Sequence, residues 1–213
     1  MIEIAAVGSG STGKSALLNA LFGTSFELKA AARITESKLR ATVSFHGKQV
    51  AVFDSPPLGE QHAVASTSDV VLFICDKDLT SFEFAEIRRV AALSRPLAVV
   101  LNKSDTFAPA ELGRLLRHIR FRLHEIVPPE RVVTCAAHPV RMVLHHPNDG
   151  TVREHVQHIP PEVASVRAIL QELIAEAEQS PRAIARDMTE AAIRHGAKAI
   201  KRTRDKLAQT WRR

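Results

Sequence analysis

The stretch Gly8-Ser9-Gly10-Ser11-Thr12-Gly13-Lys14-Ser15 decides the fold of this chain. It matches the pattern G-x-x-x-x-G-K-[ST] at every fixed position. An apolar run at 2–7 precedes it, and a helical pattern at 15–22 follows it. Glycines allow successive backbone N–H groups to turn toward phosphate oxygens, and the start of a helix adds partial positive charge. The stretch therefore predicts a phosphate-binding loop between a strand and a helix.

The last residues of the loop carry the expected chemistry. Lys14 is predicted to reach the β- and γ-phosphates, and the Ser15 hydroxyl to coordinate Mg²⁺. The loop residues and Ala16, which follows them, are the predicted phosphate-binding residues.

Apolar runs of strand length alternate with longer helical patterns along the chain. The runs at 70–75 and 97–101 are short and unbroken, as in parallel strands that are buried on both faces. The runs at 39–45 and 49–53 flank His46-Gly47-Lys48 and predict a hairpin. Helical spacing recurs at 80–93, which opens with Thr80 and Glu83 as a capping box, and at 109–126. It recurs again at 163–177, in a helix that Pro160-Pro161 is predicted to open. This order predicts an α/β fold: a mostly parallel sheet with one antiparallel edge strand and helices on both faces.

A second motif selects the base. Asn102-Lys103-Ser104-Asp105 follows the run at 97–101, about 90 residues after the phosphate loop. The Asp105 carboxylate can accept two hydrogen bonds from guanine, whereas adenine presents an acceptor at the ring position that would face it. A carboxylate facing that acceptor would be left unpaired, which costs a few kcal/mol. The Lys103 stem can lie against the ring, so the nucleotide is expected to be GTP or GDP.

With both motifs in place, the chain resembles the Era-like branch of the translation-factor-related GTPases, above all bacterial members with an appended, often membrane-associated helical region. The resemblance implies a three-layer P-loop NTPase fold of the Ras-like G-domain type over 1–178. It implies that Thr35 contacts Mg²⁺ and the γ-phosphate, and that Asp54 holds Mg²⁺ through a water. Ser15, Thr35 and Asp54 are thus the expected metal residues, and Lys14, Thr35 and Asp54 the expected catalytic ones. An ordinary exposed loop threonine is the alternative for Thr35.

The chain departs from this family at Asp54-Ser55-Pro56-Pro57. The family has a glycine where Pro57 stands, and that glycine donates its N–H to the γ-phosphate, which proline cannot do. Leu58 stands where Ras-like proteins keep a catalytic glutamine, so Gln61 and His62 are alternative water-positioning residues if they are not surface loop residues. We therefore expect either a weak GTPase that acts as a switch on an effector protein, or a guanine-nucleotide-binding scaffold with little or no hydrolysis. A P-loop ATPase or kinase is a further alternative.

Two smaller features of the sequence bear on the predicted nucleotide site. Thr134-Cys135-Ala136-Ala137 resembles the S-A-K type loop behind guanine, which implies that Cys135 and Ala136 contact the base, the latter through its N–H. Members that potassium activates carry an asparagine at the position of Ser11, so potassium dependence is not expected.

The net charge of +6 is concentrated in the C-terminal tail. Residues 182–213 hold ten Lys or Arg and three Asp or Glu, a net +7. We expect residues 179–213 to form a basic helix, which either lies on an anionic membrane surface or packs on the G domain or a partner. Phosphate contacts with nucleic acid are conceivable in such a segment, but nothing indicates base readout.

The remaining features indicate a cytoplasmic protein, with peripheral membrane contact through the tail as one alternative. No signal peptide is visible, and no apolar run approaches the roughly 20 residues that span a bilayer. Cys75 and Cys135 each end an apolar run and are predicted to be buried, reduced thiols. The histidine-rich region 137–159 matches no known metal-ligand spacing and is interpreted as a solvated loop.

Overall fold

The computed structural model describes residues 1–25, 39–55, 61–145, 153–181, 184–185 and 189. Thr35, the segment 56–60 with Pro57 and Leu58, and almost all of the basic tail lie outside the described residues. The strands and helices are, in chain order, β1 (Ile2–Val7), α1 (Lys14–Phe22), β2 (Leu39–Phe45), β3 (Lys48–Asp54), α2 (Gln61–Thr67), β4 (Val70–Cys75), α3 (Ser81–Ala91), β5 (Leu97–Leu101), α4 (Pro109–Leu123), β6 (Val132–Thr134), β7 (Val140–His145), β8 (Arg153–His158) and α5 (Ala164–Glu178).

Six strands form the central sheet in the order β2-β3-β1-β4-β5-β6. β2 pairs antiparallel with β3, and the remaining neighbours pair in parallel. In the register of this sheet Ile4 lies beside Val52 on one side and Val70 on the other. The predicted α/β fold with one antiparallel edge strand is therefore confirmed. The carboxyl ends of the parallel strands meet at one edge, where open α/β sheets bind ligands.

Apolar side chains cover both faces of the sheet. Because side chains alternate along a strand, Leu72 and Ile74 of β4 face one layer, whereas Phe73 and Cys75 face the other. α1 and α5 pack on the first face, and α2, α3 and α4 on the second. This two-sided burial explains the unbroken apolar runs, and it leaves Cys75 and Cys135 as buried free thiols, as predicted.

The structure differs from the sequence reading in three segments. The histidine-rich region contains an antiparallel hairpin of β7 and β8, separate from the main sheet, where a loop was expected. Alternation of Val140, Met142 and Leu144 with other residues was the available strand signal. Gln61 begins the short helix α2 rather than lying in a loop. The last helix on the sheet, α5, begins at Ala164, after Pro160-Pro161 rather than at them.

None of the helices in the described part of the chain is both long and apolar enough to cross a membrane.

Candidate nucleotide-binding site

The phosphate loop joins β1 to α1 and depends on two close backbone approaches. A Cβ added at Gly8 would lie 2.1 Å from the Ile74 carbonyl oxygen, and one at Gly13 would lie 2.3 Å from Asn102 Nδ2. Both glycines have positive φ, 142° and 88°. A side chain is excluded at both positions by sterics and conformation together, which explains why the motif requires glycine there.

Lys14 lies inside the loop rather than in solvent. Its Nζ donates hydrogen bonds to the carbonyl oxygens of Gly8, at 3.0 Å, and Ser9, at 2.9 Å. Burial lowers the pKa of the Lys14 ammonium, and the nearby Asp54 carboxylate partly opposes that shift. The loop thus holds a cation where a phosphate would meet it.

Asp54 ends β3 beside Ser15, and its side chain is almost fully buried. The Ser15 hydroxyl donates a hydrogen bond to Asp54 Oδ2. Asp54 Oδ1 is buried and has no hydrogen-bond partner among the described residues. Burial raises the pKa of Asp54, while the Ser15 hydrogen bond and Lys14 pull it down. An orphaned carboxylate oxygen beside a hydroxyl is a set of hard oxygen donors that fits Mg²⁺.

Asn102 connects the phosphate loop to the predicted base loops. It is 2% exposed, and its Nδ2 donates to the Thr12 carbonyl oxygen at 2.9 Å. Its Oδ1 accepts from the Ala137 N–H at 3.1 Å and from Cys135 Sγ at 3.2 Å. One amide side chain therefore fixes three loops against one another.

Lys103 has a φ of 58°, a left-handed conformation that is uncommon for a residue other than glycine. Its Nζ donates to the Ser11 carbonyl oxygen at 2.7 Å and to Asp76 Oδ2 at 2.6 Å. The Lys103 side chain thus contacts both the phosphate loop and Asp76, which follows β4. Sequence reasoning missed Asp76, although it follows β4 at the same edge of the sheet, and that position was the available signal.

The residues predicted to contact the base differ in their exposure and in the hydrogen bonds they already make. Asp105 is exposed. Cys135 is buried, and burial first, then the charge of Asp105, raises its pKa to about 12. Ala136 N–H donates to the Glu162 carbonyl oxygen at 3.0 Å, and Glu162 N–H donates back at 2.9 Å. The contact predicted between the Ala136 N–H and a base oxygen therefore requires this bridge to open, and it stays a prediction.

The remaining predicted residues are not part of this cluster, or they lie outside the described part of the chain. Thr35 and Pro57 lie outside the described residues, and His62 is exposed on α2. The rings of His138 and His158 lie 5.1 Å apart. Among the residues that the structure describes, no group of three or more His, Cys, Asp or Glu side chains could hold a metal ion.

Comparison with known proteins agrees with this geometry. Residues 3–103 match the family model described as "50S ribosome-binding GTPase". The chain is 27% identical to GTPase HflX of Hyperthermus butylicus, over 63% of this chain and 42% of the relative. It therefore spans less than half the length of that curated relative.

Solved structures show the same fold at low identity. Era of Aquifex aeolicus, bound to GDP and AlF4⁻, has a TM-score of 0.55 and 23% identity, over 63% of this chain and 50% of that one. A GTP-binding protein of Sulfolobus solfataricus in complex with GDP has a TM-score of 0.51 and 16% identity, over 82% and 53%. SelB of Methanococcus maripaludis, in complex with the GTP analogue GppNHp, has a TM-score of 0.53 and 15% identity, over 64% and 30%.

In its motifs and its fold the chain is therefore similar to P-loop GTPases.

Proposed function

We propose that this chain binds GTP and GDP with Mg²⁺, hydrolyses GTP slowly, and acts as a nucleotide-dependent switch of the Era-like type. The observation that carries the proposal is the junction at Asn102. Its hydrogen bond to the Thr12 carbonyl oxygen, at 2.9 Å, places the N-K-x-D segment directly against the phosphate loop. The hydrogen bond of Asn102 thus holds the phosphate loop next to the segment that carries Asp105. This arrangement supports the binding of one guanine nucleotide that contacts both.

The residues present suit phosphoryl transfer, which mostly requires positioning and electrostatic stabilisation. Lys14 would neutralise charge on the transferring phosphoryl group, and the backbone N–H groups of 10–15 would bind its oxygens. Ser15 and Asp54 would hold Mg²⁺, which would supply further neutralisation of the phosphates. Thr35 would join them from its own segment.

Guanine preference would come from Asp105, with Lys103, Cys135 and Ala136 around the base. The charge of Asp105 helps to raise the pKa of the Cys135 thiol, which supports a common role for the two loops at the base. Binding through the Ala136 N–H would exchange its partner, the Glu162 carbonyl oxygen, for the base oxygen.

The competing function is a guanine-nucleotide-binding scaffold with little turnover. Pro57 supports it, because a proline at that position removes an N–H that family members direct at the γ-phosphate. Leu58 supports it as well, because leucine cannot orient a water.

The decisive experiment measures phosphate release from GTP by the purified chain, the Lys14→Ala variant and a mock preparation. Slow turnover that Lys14→Ala abolishes supports the switch. Turnover that equals the mock preparation, with GDP still bound, supports the scaffold.

Displacement of fluorescent GDP by GTP and by ATP tests the base assignment. GTP should compete at least tenfold better than ATP, because a purine acceptor facing the Asp105 carboxylate leaves it unpaired. A preference for ATP would contradict the proposal that Asp105 selects guanine, and it would favour the ATPase or kinase alternative.

We further propose that residues 1–178 form the G domain and that 179–213 form a basic helix of a cytoplasmic protein that binds an anionic membrane surface. Its ten Lys or Arg residues support that partner. Removing 182–213 should abolish binding to anionic vesicles and leave GTP affinity nearly unchanged. Equal vesicle binding by the truncated chain would refute the anchor.

A further inference from the structure

Glu83 is a buried carboxylate beside the phosphate loop that the proposed function leaves without a role. It lies in the first turn of α3 and is 3% exposed. Its Oε2 accepts from the N–H and the hydroxyl of Thr80, both at 2.9 Å, which completes the capping box that the sequence predicts. A capping box alone satisfies the start of a helix and needs no other partner.

The other oxygen of this carboxylate contacts a residue outside α3. Glu83 Oε1 accepts a hydrogen bond from the Ser9 hydroxyl at 2.7 Å, across 74 residues of sequence. Because the capping box holds the carboxylate in one position, the bond to Ser9 ties the phosphate loop to α3 at a fixed point.

Ser9 also holds the inner side of the loop. Its carbonyl oxygen accepts from Lys14 Nζ at 2.9 Å and from the Thr12 hydroxyl at 3.0 Å. A shift of Ser9 therefore displaces the acceptor that orients the Lys14 ammonium. Glu83, Ser9 and Lys14 form one continuous chain of hydrogen bonds.

We propose that Glu83 is a positioning residue that holds the phosphate loop through Ser9, so that the start of α3 controls how fast nucleotide leaves. The inference rests on the proposed nucleotide binding at this loop. A loop already held in its binding conformation loses less freedom when the phosphates arrive, and the gain appears mainly as slower release.

Release of fluorescent GDP from the full chain is the first test. Ser9→Ala removes the bond to Glu83 and leaves the capping box intact, so it should speed release about tenfold, the size expected for a hydrogen bond to a charged group. Glu83→Gln keeps its one oxygen as the acceptor for Thr80 and turns its NH2 group toward Ser9, whose hydroxyl can then accept a neutral hydrogen bond. It should therefore speed release by only about threefold.

The double variant tests whether Ser9 and Glu83 act on nucleotide release through the same bond. Ser9→Ala with Glu83→Gln should release GDP no faster than Ser9→Ala alone, because both changes act on the same bond. Val90→Ala is the matched control: Val90 is buried in α3 far along the helix from Ser9, so it lowers thermal stability without touching the bond. Release rates that multiply in the double variant, or that Val90→Ala changes as much as Ser9→Ala does, overturn the proposal.

Hydrogen exchange in the nucleotide-free chain separates this inference from the proposed function. The amides of 9–13 should exchange faster in Ser9→Ala than in the native chain and remain native-like in Val90→Ala. Unchanged exchange in Ser9→Ala overturns the positioning role. A native chain that binds no guanine nucleotide defeats the proposed function, and the exchange result then decides the role of Glu83 by itself.

Discussion

The phosphate side and the base side of the candidate site are built in different ways. On the phosphate side the charged groups, Lys14 and Asp54, are buried and hydrogen-bonded within the loop and its neighbours. On the base side Asp105 is exposed, and the Ala136 N–H is already paired with Glu162. Asn102 joins the two sides through direct hydrogen bonds to both, and Lys103 Nζ also donates to the Ser11 carbonyl oxygen of the phosphate loop.

The difference agrees with what each side is proposed to bind. A polyphosphate carries charge that is best met by fixed donors in a dry cradle, because preorganised groups need no rearrangement when the ligand arrives. A purine edge is read by a few directional hydrogen bonds, and these can form at an exposed carboxylate. We expect changes on the phosphate side to affect both stability and binding, and changes on the base side to affect mainly selectivity.

Gly13→Ala should give the largest effect, because the new Cβ would collide with the Asn102 amide at a positive φ. We expect a loss of about 3 kcal/mol or more in the free energy of unfolding and loss of GDP binding by at least about 100-fold. Urea denaturation and GDP titration measure both. Gly113→Ala is the control, since its Cβ meets only Arg117 Nη1 at 3.6 Å in α4, and it should be neutral or stabilising by about 0.5 kcal/mol. Equal behaviour of the two variants would contradict the steric account.

Asn102→Ala should have the next largest effect. It leaves the Thr12 carbonyl oxygen and the Ala137 N–H without their buried partner, which should cost about 2–3 kcal/mol in unfolding free energy. Thr106→Ala is the matched control, because that exposed hydroxyl donates to the nearby Lys103 carbonyl oxygen, and the change should cost less than about 1 kcal/mol. Similar losses in denaturation would show that Asn102 does not join the two sides.

Asp105→Asn should separate selectivity from stability. We expect GDP affinity to fall by about tenfold, roughly 1.4 kcal/mol, because the amide presents only one acceptor oxygen to the two guanine donors. Thermal stability should stay native, since the side chain is exposed. Asp78→Asn, at another exposed carboxylate, is the control for loss of one charge. A native affinity in Asp105→Asn would remove the base-reading role.

The smallest expected effect is a pH dependence of the free energy of unfolding of the nucleotide-free chain, caused by Asp54. Its pKa is raised above the ordinary 3.8, so the folded state binds more protons than the unfolded state between those two values. Its contribution to stability is therefore present at low pH and is lost as pH rises through that window. Denaturation at a series of pH values rising from the ordinary pKa of 3.8 should show the native chain losing stability relative to Asp54→Asn. An opposite slope would mean that the buried carboxylate is stabilised in its charged form.

Much of the fold could be predicted from sequence because strand and helix periodicities are local. Unbroken apolar runs at β4 and β5 indicated two-sided burial, and the glycine pattern indicated the phosphate loop. The hairpin of β7 and β8 was missed because interspersed histidines and charged residues weaken its alternation. α2 was missed because it is short, and its place depends on burying Val64 and Ala65 against the sheet layer.

The sequence by itself determined the residue types of the candidate site and the order of the elements that carry them, since motif spacing and apolar periodicity are properties of the chain. Only the tertiary structure decided which side chains meet. It brought Asn102 onto Thr12, Lys103 onto Asp76 and Glu83 onto Ser9, and it paired Ala136 with Glu162. These contacts join residues that are far apart in the chain, so they depend on how sheet and helices pack, which no local pattern encodes.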